Sequence, residues 1–136
     1  MNETFSKEEK AAMKAAVAEA KAAKAGADLK AACLAAIDAM DGKDKELAEK
    51  LHAIVESNTD LQPKTWYGMP AYANKDGKVI VFFQSAGKFK VRYATIGFQP
   101  DANLDEGNLW ATSFAVTNLN AEDQKNLKQL ILQAIS

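Results

Sequence analysis

Basic side chains at every second position of one stretch could together bind an anion. Lys88, Lys90 and Arg92 alternate with apolar residues, and Lys78 begins a second apolar run. Alternate side chains of a strand point to opposite faces, so this pattern predicts one apolar and one cationic face. Cations on neighbouring strands, about 4.8 Å apart, could converge on a phosphate or carboxylate. The alternative is a solvated sheet face, on which Lys is common.

Arg92 is the residue best suited to an anion site. It is the only arginine, and its planar guanidinium matches the two oxygens of a carboxylate or phosphate. The alternative is a structural ion pair with Asp105 or Glu106.

An aromatic-rich segment near Gly68 could wall a pocket for a flat ligand. Trp66, Met69 and Tyr72 combine apolar surface with an indole and a phenol that can hydrogen-bond. Equally, these side chains could fill the core between the sheet and the helices.

Carboxylates in one loop are the candidates for a metal site. Asp101, Asp105 and Glu106 offer the hard oxygen ligands that hard metal ions bind. Further acids, Glu8, Glu9 and Glu19, lie on the first predicted helix. The alternative for both groups is ordinary solvated acids, which at a helix start also favour the helix dipole.

Cys33 and His52 could in principle form a nucleophile and base, but Cys33 falls on a predicted buried helix face. One Cys and one His are too few for a four-ligand Cys/His zinc site. The chain has neither a Gly-rich phosphate loop nor a Gly-x-Ser-x-Gly motif. We therefore expect a binding protein rather than an enzyme.

The first part of the chain has helical periodicity. Ser6 and Glu9 predict a capping box that starts a lightly packed helix ending near Lys24. We expect Gly26 to end that pattern, and a second helix to follow. Its buried face would contain Leu29, Cys33, Ile37 and Met40. A third helix buries Leu47, Leu51, Ile54 and Val55.

From Thr65 onwards the apolar residues recur with the two-residue period of strands instead of the helical period. Turn residues separate four predicted strands, at about 66–73, 78–84, 88–96 and 110–117. Asn120 and Asp123 then predict the cap of a final helix. The expected fold is α+β, with an antiparallel sheet of four or more strands packed against N-terminal helices and a C-terminal helix.

Composition indicates one globular domain in 136 residues, with 48% apolar and 26% charged residues. No apolar run is long enough to span a membrane, and the N-terminus does not resemble a signal or transit peptide. We therefore expect a cytoplasmic protein without a membrane partner. Residues 63–99 carry six basic side chains against Asp76 alone, but the whole chain has a net charge of −1. The overall charge disfavours nucleic acid and leaves a small anion or a protein as the partner.

Three segments resemble the YdhG-like bacterial domain family: 64–72 (KTWYGMPAY), 78–84 (KVIVFFQ) and 88–98 (KFKVRYATIGF). The likeness continues into LHAIV at 51–55. It implies a single domain over 1–136, with a helical extension at 1–44 and the family core at 45–136. Some members are described as iron chaperones and compared with frataxin, so the resemblance implies iron delivery, with iron as the metal bound. It supplies no site residues.

Two functional hypotheses follow. One is a non-enzymatic domain for intracellular iron delivery. The other is a domain that binds a small anionic or aromatic ligand between the basic sheet face and the segment from Trp66 to Tyr72.

Overall fold

The structure is a computed structural model that describes residues 7–136. It has an α+β fold, as the sequence predicts. Its elements in chain order are α1 (Lys7–Asp38), α2 (Gly42–Asn58), β1 (Gln62–Trp66), β2 (Met69–Ala73), β3 (Val79–Gln84), α3 (Ala86–Phe89), β4 (Ala94–Phe98), β5 (Ser113–Val116) and α4 (Ala121–Ala134).

The five strands form one antiparallel sheet in the order β1-β2-β3-β4-β5. Every strand pairs with the next one in sequence. The expected antiparallel sheet, packed against N-terminal helices and a C-terminal helix, is therefore confirmed.

One face of the sheet forms the core with the helices. The register aligns Tyr72 with Val81 and Val81 with Phe98, and all three side chains are buried. Leu51 of α2 and Ile131 of α4 belong to the same apolar cluster. Burial of each such side chain contributes about 1.5–3 kcal/mol, so this layer is the main source of stability. We call the opposite side the open face.

Gly26 does not interrupt the first helix, which runs unbroken to Asp38. Cys33 and Ile37 are buried as expected, whereas Leu29 is exposed. The helix continues because Gly26 permits a close contact: its carbonyl oxygen accepts a hydrogen bond from Gln62 Nε2 at 2.9 Å. Glycine costs a helix only about 1 kcal/mol, which packing against β1 offsets. The predicted cap at Ser6 lies outside the described residues.

The predicted strand from Trp66 to Ala73 is interrupted by a tight turn, which joins the last residue of β1 to the start of β2. Tyr67 and Gly68 have φ angles of 51° and 76°. Two consecutive left-handed residues make the turn type that fits a two-residue hairpin. The turn is unusual, because a tyrosine occupies a position that usually holds Asn, Asp or Gly.

The segment from Lys88 to Tyr93 is not a strand. Residues 86–89 form the short helix α3, Lys90 is left-handed with a φ of 54°, and β4 begins only at Ala94. Phe89, Val91 and Tyr93 do not face the core; they are 44%, 48% and 36% exposed. The alternation therefore predicted the wrong element here.

The final helix begins as predicted. Asn120 Oδ1 accepts the backbone N–H of Asp123, and Asp123 Oδ2 accepts the backbone N–H of Asn120. Across residues 7–136, none of the helices is long and apolar enough to cross a membrane.

Substitution of Gly26 tests the contact between α1 and β1. A Cβ at Gly26 would lie 2.8 Å from Gln62 Oε1, so Gly26→Ala must displace the amide and lose its hydrogen bond. That loss, about 1 kcal/mol, should cancel the gain in helix propensity, also about 1 kcal/mol. In a Gln62→Ala background the gain should remain. Urea unfolding of the four proteins measures the difference, and equal effects of Gly26→Ala in both backgrounds would contradict the contact.

Candidate functional site

The predicted ligand-binding residues Trp66 and Tyr72 lie on opposite faces of the sheet. Trp66 pairs with Met69, which places both on the open face, where they are half-buried. Tyr72 is three residues beyond Met69, so it points to the core, and it is fully buried. The two aromatic side chains therefore cannot line one pocket.

Tyr72 instead joins a buried polar cluster. Its Oη lies 3.0 Å from His52 Nδ1 and accepts a hydrogen bond from the Cys33 thiol, with 3.9 Å between sulfur and oxygen. His52 Nε2 lies 3.8 Å from Glu56 Oε2, and Glu56 forms an ion pair with Lys30. The cluster satisfies the hydroxyl and thiol that the core encloses.

The cluster does not activate Cys33. Burial raises the pKa of the Cys33 thiol above its ordinary value, although the contact with Tyr72 opposes the shift. The thiol donates its hydrogen bond to Tyr72 rather than to His52, and burial also raises the pKa of Tyr72. A nucleophile requires the opposite shift, towards the thiolate. The geometry thus favours a structural role for Cys33.

The basic residues are also separated by the structure. Lys88 belongs to α3, and Lys90 and Arg92 lie in the exposed segment before β4, so the three do not form a cationic sheet face. Arg92 lies over the Tyr93 ring, with its Cζ 5.1 Å from the ring centroid. It forms no ion pair with any described carboxylate, so the predicted alternative, a pair with Asp105 or Glu106, is wrong.

Asp44 explains why this segment folds as it does. Its carboxylate oxygens accept the backbone N–H groups of Ala86 at 3.0 Å and Gly87 at 2.9 Å. These contacts hold the start of α3 against α2 and bend the chain away from the strand direction. Lys88, beside Gly68, lines a cavity of about 520 Å³ next to this contact.

On the open face, Trp66 and Lys78 do come together. With Lys64 and Asp101 they line an open cavity of about 480 Å³, whose remaining lining residues are Gly77, Val79, Gln99 and Pro100. We call this cavity the trough. Sequence reasoning missed Lys64, although its spacing of two residues from Trp66 on one strand could have revealed it.

Packing across the sheet positions the indole of Trp66. Phe82 pairs with Gly97, and a Cβ at Gly97 would lie 2.3 Å from Phe82 Cζ. The absent side chain lets the Phe82 ring lie close to β4. The Trp66 ring packs on it, with 5.1 Å between centroids, and meets the Tyr67 ring edge-on at 4.8 Å. An aromatic row thus extends from β4 to the turn after β1.

A hydrogen-bonded turn positions Lys78. Asn74 Oδ1 accepts the backbone N–H groups of Asp76 and Lys78, each at 3.0 Å. In the part of the chain that the structure describes, neither Lys64 nor Lys78 is in an ion pair. Two unpaired ammonium groups against the single carboxylate of Asp101 give the trough a net positive charge.

The predicted metal ligands are not gathered into a cluster. Asp101 lines the trough, whereas Asp105 and Glu106 are exposed further along the loop. Among residues 7–136, no three His, Cys, Asp or Glu side chains are grouped so as to hold a metal ion. The acids of the first helix, Glu8, Glu9 and Glu19, are exposed.

No family model, curated protein or solved structure matches this chain. Membership of the YdhG-like family therefore stays a prediction, as does the iron delivery that it implies.

Protonation of His52 should affect stability. Burial lowers the pKa of His52 below its ordinary value of 6.5, so the unfolded chain binds a proton more readily than the folded one. Stability is then greatest above about pH 6.5 and falls as the pH drops below that value. Lys30 lowers the pKa of Glu56, whose stabilising effect is lost only below its ordinary value of 4.5. Urea unfolding between about pH 7.5 and about pH 5.5 isolates His52. His52→Asn should reduce the pH dependence; an unchanged dependence would contradict this role.

Substitution of Gly97 should disturb the aromatic row. Gly97→Ala forces the Phe82 ring outwards, which should cost roughly 1 kcal/mol because the ring lies on the open face and can tilt. Trp66 should become more solvated. Its fluorescence can be measured alone in a Trp110→Phe background, since the chain has two tryptophans. A red shift is expected, and an unchanged spectrum would contradict the packing.

Proposed function

We propose that this chain is a non-enzymatic binding domain that holds a small, flat, anionic ligand in the trough. The observation that supports this most directly is the placement of Trp66 beside Lys64 and Lys78 around one cavity. The proposal keeps the predicted ligand class but changes the site. Of the predicted ligand-binding residues, these do not line the trough: Met69, Tyr72, Lys88, Lys90 and Arg92.

The size and shape of the trough favour a small molecule. Its volume of about 480 Å³ lies within the roughly 300–1,000 Å³ usual for ligand pockets. Trp66 provides an aromatic wall held in place by Phe82. A planar ligand can stack on or meet the edge of such a wall, which adds about 0.5–1.5 kcal/mol beyond the area it buries.

Charge favours an anion over a cation. Lys64 and Lys78 have no carboxylate partner of their own within the described residues, so an incoming carboxylate or phosphate would not have to break an existing ion pair. Charged hydrogen bonds contribute about 1.5–3 kcal/mol each. Asp101, on the same rim, would instead accept a hydrogen bond from a polar group of the ligand.

The lining residues support binding rather than catalysis. They include no His, Cys, Ser or Tyr. The cluster of Cys33, His52 and Tyr72 lies on the other face of the sheet. Burial raises the pKa of the Cys33 thiol, which is the wrong direction for a nucleophile.

Calorimetric titration with three probes tests the proposal. Benzoate should bind; benzamide, which lacks the charge, and inorganic phosphate, which lacks the ring, should bind more weakly. Lys64→Ala and Lys78→Ala should each weaken benzoate binding about tenfold, and Trp66→Ala similarly. Lys128→Ala, an exposed lysine on α4, is the matched control and should bind as the parent does. Equal binding by all the lysine variants would overturn the proposed site.

Iron delivery is tested by a separate titration. We expect ferrous iron to bind weakly or not at all under anaerobic conditions, since no cluster of three acidic, His or Cys ligands occurs within the described residues. The control is the triple variant Asp101→Asn, Asp105→Asn and Glu106→Gln. Micromolar binding by the parent that the triple variant loses would instead support an iron-binding domain.

A further inference from the structure

The cavity beside Lys88 lies where the two N-terminal helices meet the turn after β1. Its volume of about 520 Å³ is within the roughly 300–1,000 Å³ usual for ligand pockets. We call it the turn cavity. The end of α1 forms one wall, and the remaining lining residues are Asp41, Asp44, Gly68, Ser85, Gly87 and Lys88. Among the described residues, none lines both the turn cavity and the trough, so the two are separate.

Ser85 brings a hydroxyl without a protein partner to the wall of the turn cavity. The residue is only 5% exposed, and although it precedes α3, its side chain makes no capping hydrogen bond. In the described chain, every side-chain N or O that is fully enclosed has a hydrogen-bond partner. The Ser85 hydroxyl has none, so it must reach the cavity that the residue lines. It is therefore free to hydrogen-bond to a ligand there.

Charges of opposite sign line the same cavity without neutralising each other. Lys88 Nζ lies over the turn, where a Cβ at Gly68 would be 3.1 Å from it. Asp41 precedes α2, and its carboxylate makes no capping hydrogen bond. Over residues 7–136, neither Lys88 nor Asp41 takes part in an ion pair. The oxygens of Asp44, in contrast, already accept two backbone N–H groups at the start of α3.

Other basic side chains near Asp41 leave its carboxylate available. Asp41 also lines a smaller cavity, of about 240 Å³, together with Lys43 and Arg92. Lys43 and Lys45 form ion pairs with other carboxylates. Arg92 lies over the Tyr93 ring and pairs with no described carboxylate. Asp41 can therefore pair with a cationic group in the turn cavity.

We propose that the turn cavity binds a small zwitterion, a molecule with one ammonium group and one carboxylate. Lys88 pairs with the carboxylate of the ligand, and Ser85, at the start of the same short helix, donates a hydrogen bond to it. Asp41 pairs with the ammonium group. A simple anion would be repelled by the aspartates, and a simple cation by Lys88, so the lining favours a ligand that carries both charges.

Calorimetric titration with zwitterions and singly charged analogues tests this proposal. Alanine and γ-aminobutyrate carry their two charges close together and further apart, and at least one of them should bind with a Kd of about 1 mM. Butyrate and butylamine, which each lack one of the charges, should bind more weakly.

Variants assign the binding to the turn cavity. Lys88→Gln and Asp41→Asn each remove one charge and should weaken zwitterion binding about tenfold. Ser85→Ala should weaken it about fivefold and leave the urea midpoint unchanged, because its hydroxyl has no partner within the described chain. The matched control is Lys90→Gln, since Lys90 is an exposed lysine on the same segment that does not line the cavity.

Each outcome decides the proposal. Absence of binding by both zwitterions up to about 20 mM overturns it, as does equally tight binding of butyrate or butylamine. Equal effects of Lys88→Gln and Lys90→Gln, or a folded Ser85→Ala that binds as the parent does, also overturn it. If Ser85→Ala does not fold, NMR of the parent decides instead. Zwitterion-induced shifts at the amides of Gly68 and Gly87 support the site, and unchanged signals there contradict it.

Discussion

The tight turn at Tyr67 and Gly68 is the constraint on which the sheet and its two faces depend. With only two residues between β1 and β2, Trp66 must pair with Met69, and the faces of all later side chains in the hairpin follow. Tyr72 is thereby directed into the core and Trp66 away from it. A turn longer by one residue would exchange the two faces of one strand, so that its buried side chains would face outwards, because side chains alternate with a period of two. An aromatic residue at a left-handed position, 82% exposed, is tolerated there at a cost of about 1 kcal/mol.

That register gives the two faces different physical properties. The buried face has a polar cluster in which Tyr72 is hydrogen-bonded to Cys33 and close to His52, enclosed by apolar side chains. Every buried side-chain N or O in the described chain has a hydrogen-bond partner, which suits a structural role. The open face combines small residues, an aromatic row and unpaired ammonium groups. It therefore leaves space and charge available for a ligand.

The sequence predicted the structure best where the residues that determine an element lie close together in the chain. The capping box of α4 needs only Asn120 and Asp123, and the antiparallel hairpins follow from short turns between apolar runs. The predictions were wrong where a distant residue decides. Gly26 remains helical because of a contact with Gln62, and residues 88–93 leave the strand conformation because Asp44, more than 40 positions earlier, binds the start of α3. Alternation alone contains no information about such partners.

The same reasoning applies to the candidate site. Trp66 and Lys78 were identified from residue type, but Lys64 and the supporting pair of Phe82 and Gly97 depend on strand register. The most direct test of the trough is an NMR titration with benzoate that follows backbone and indole N–H signals. We predict the largest shifts at the indole of Trp66 and the amides of Lys78 and Gln99. Shifts confined to residues 88–93, or to the surroundings of His52, would contradict the assignment of the trough as the binding site.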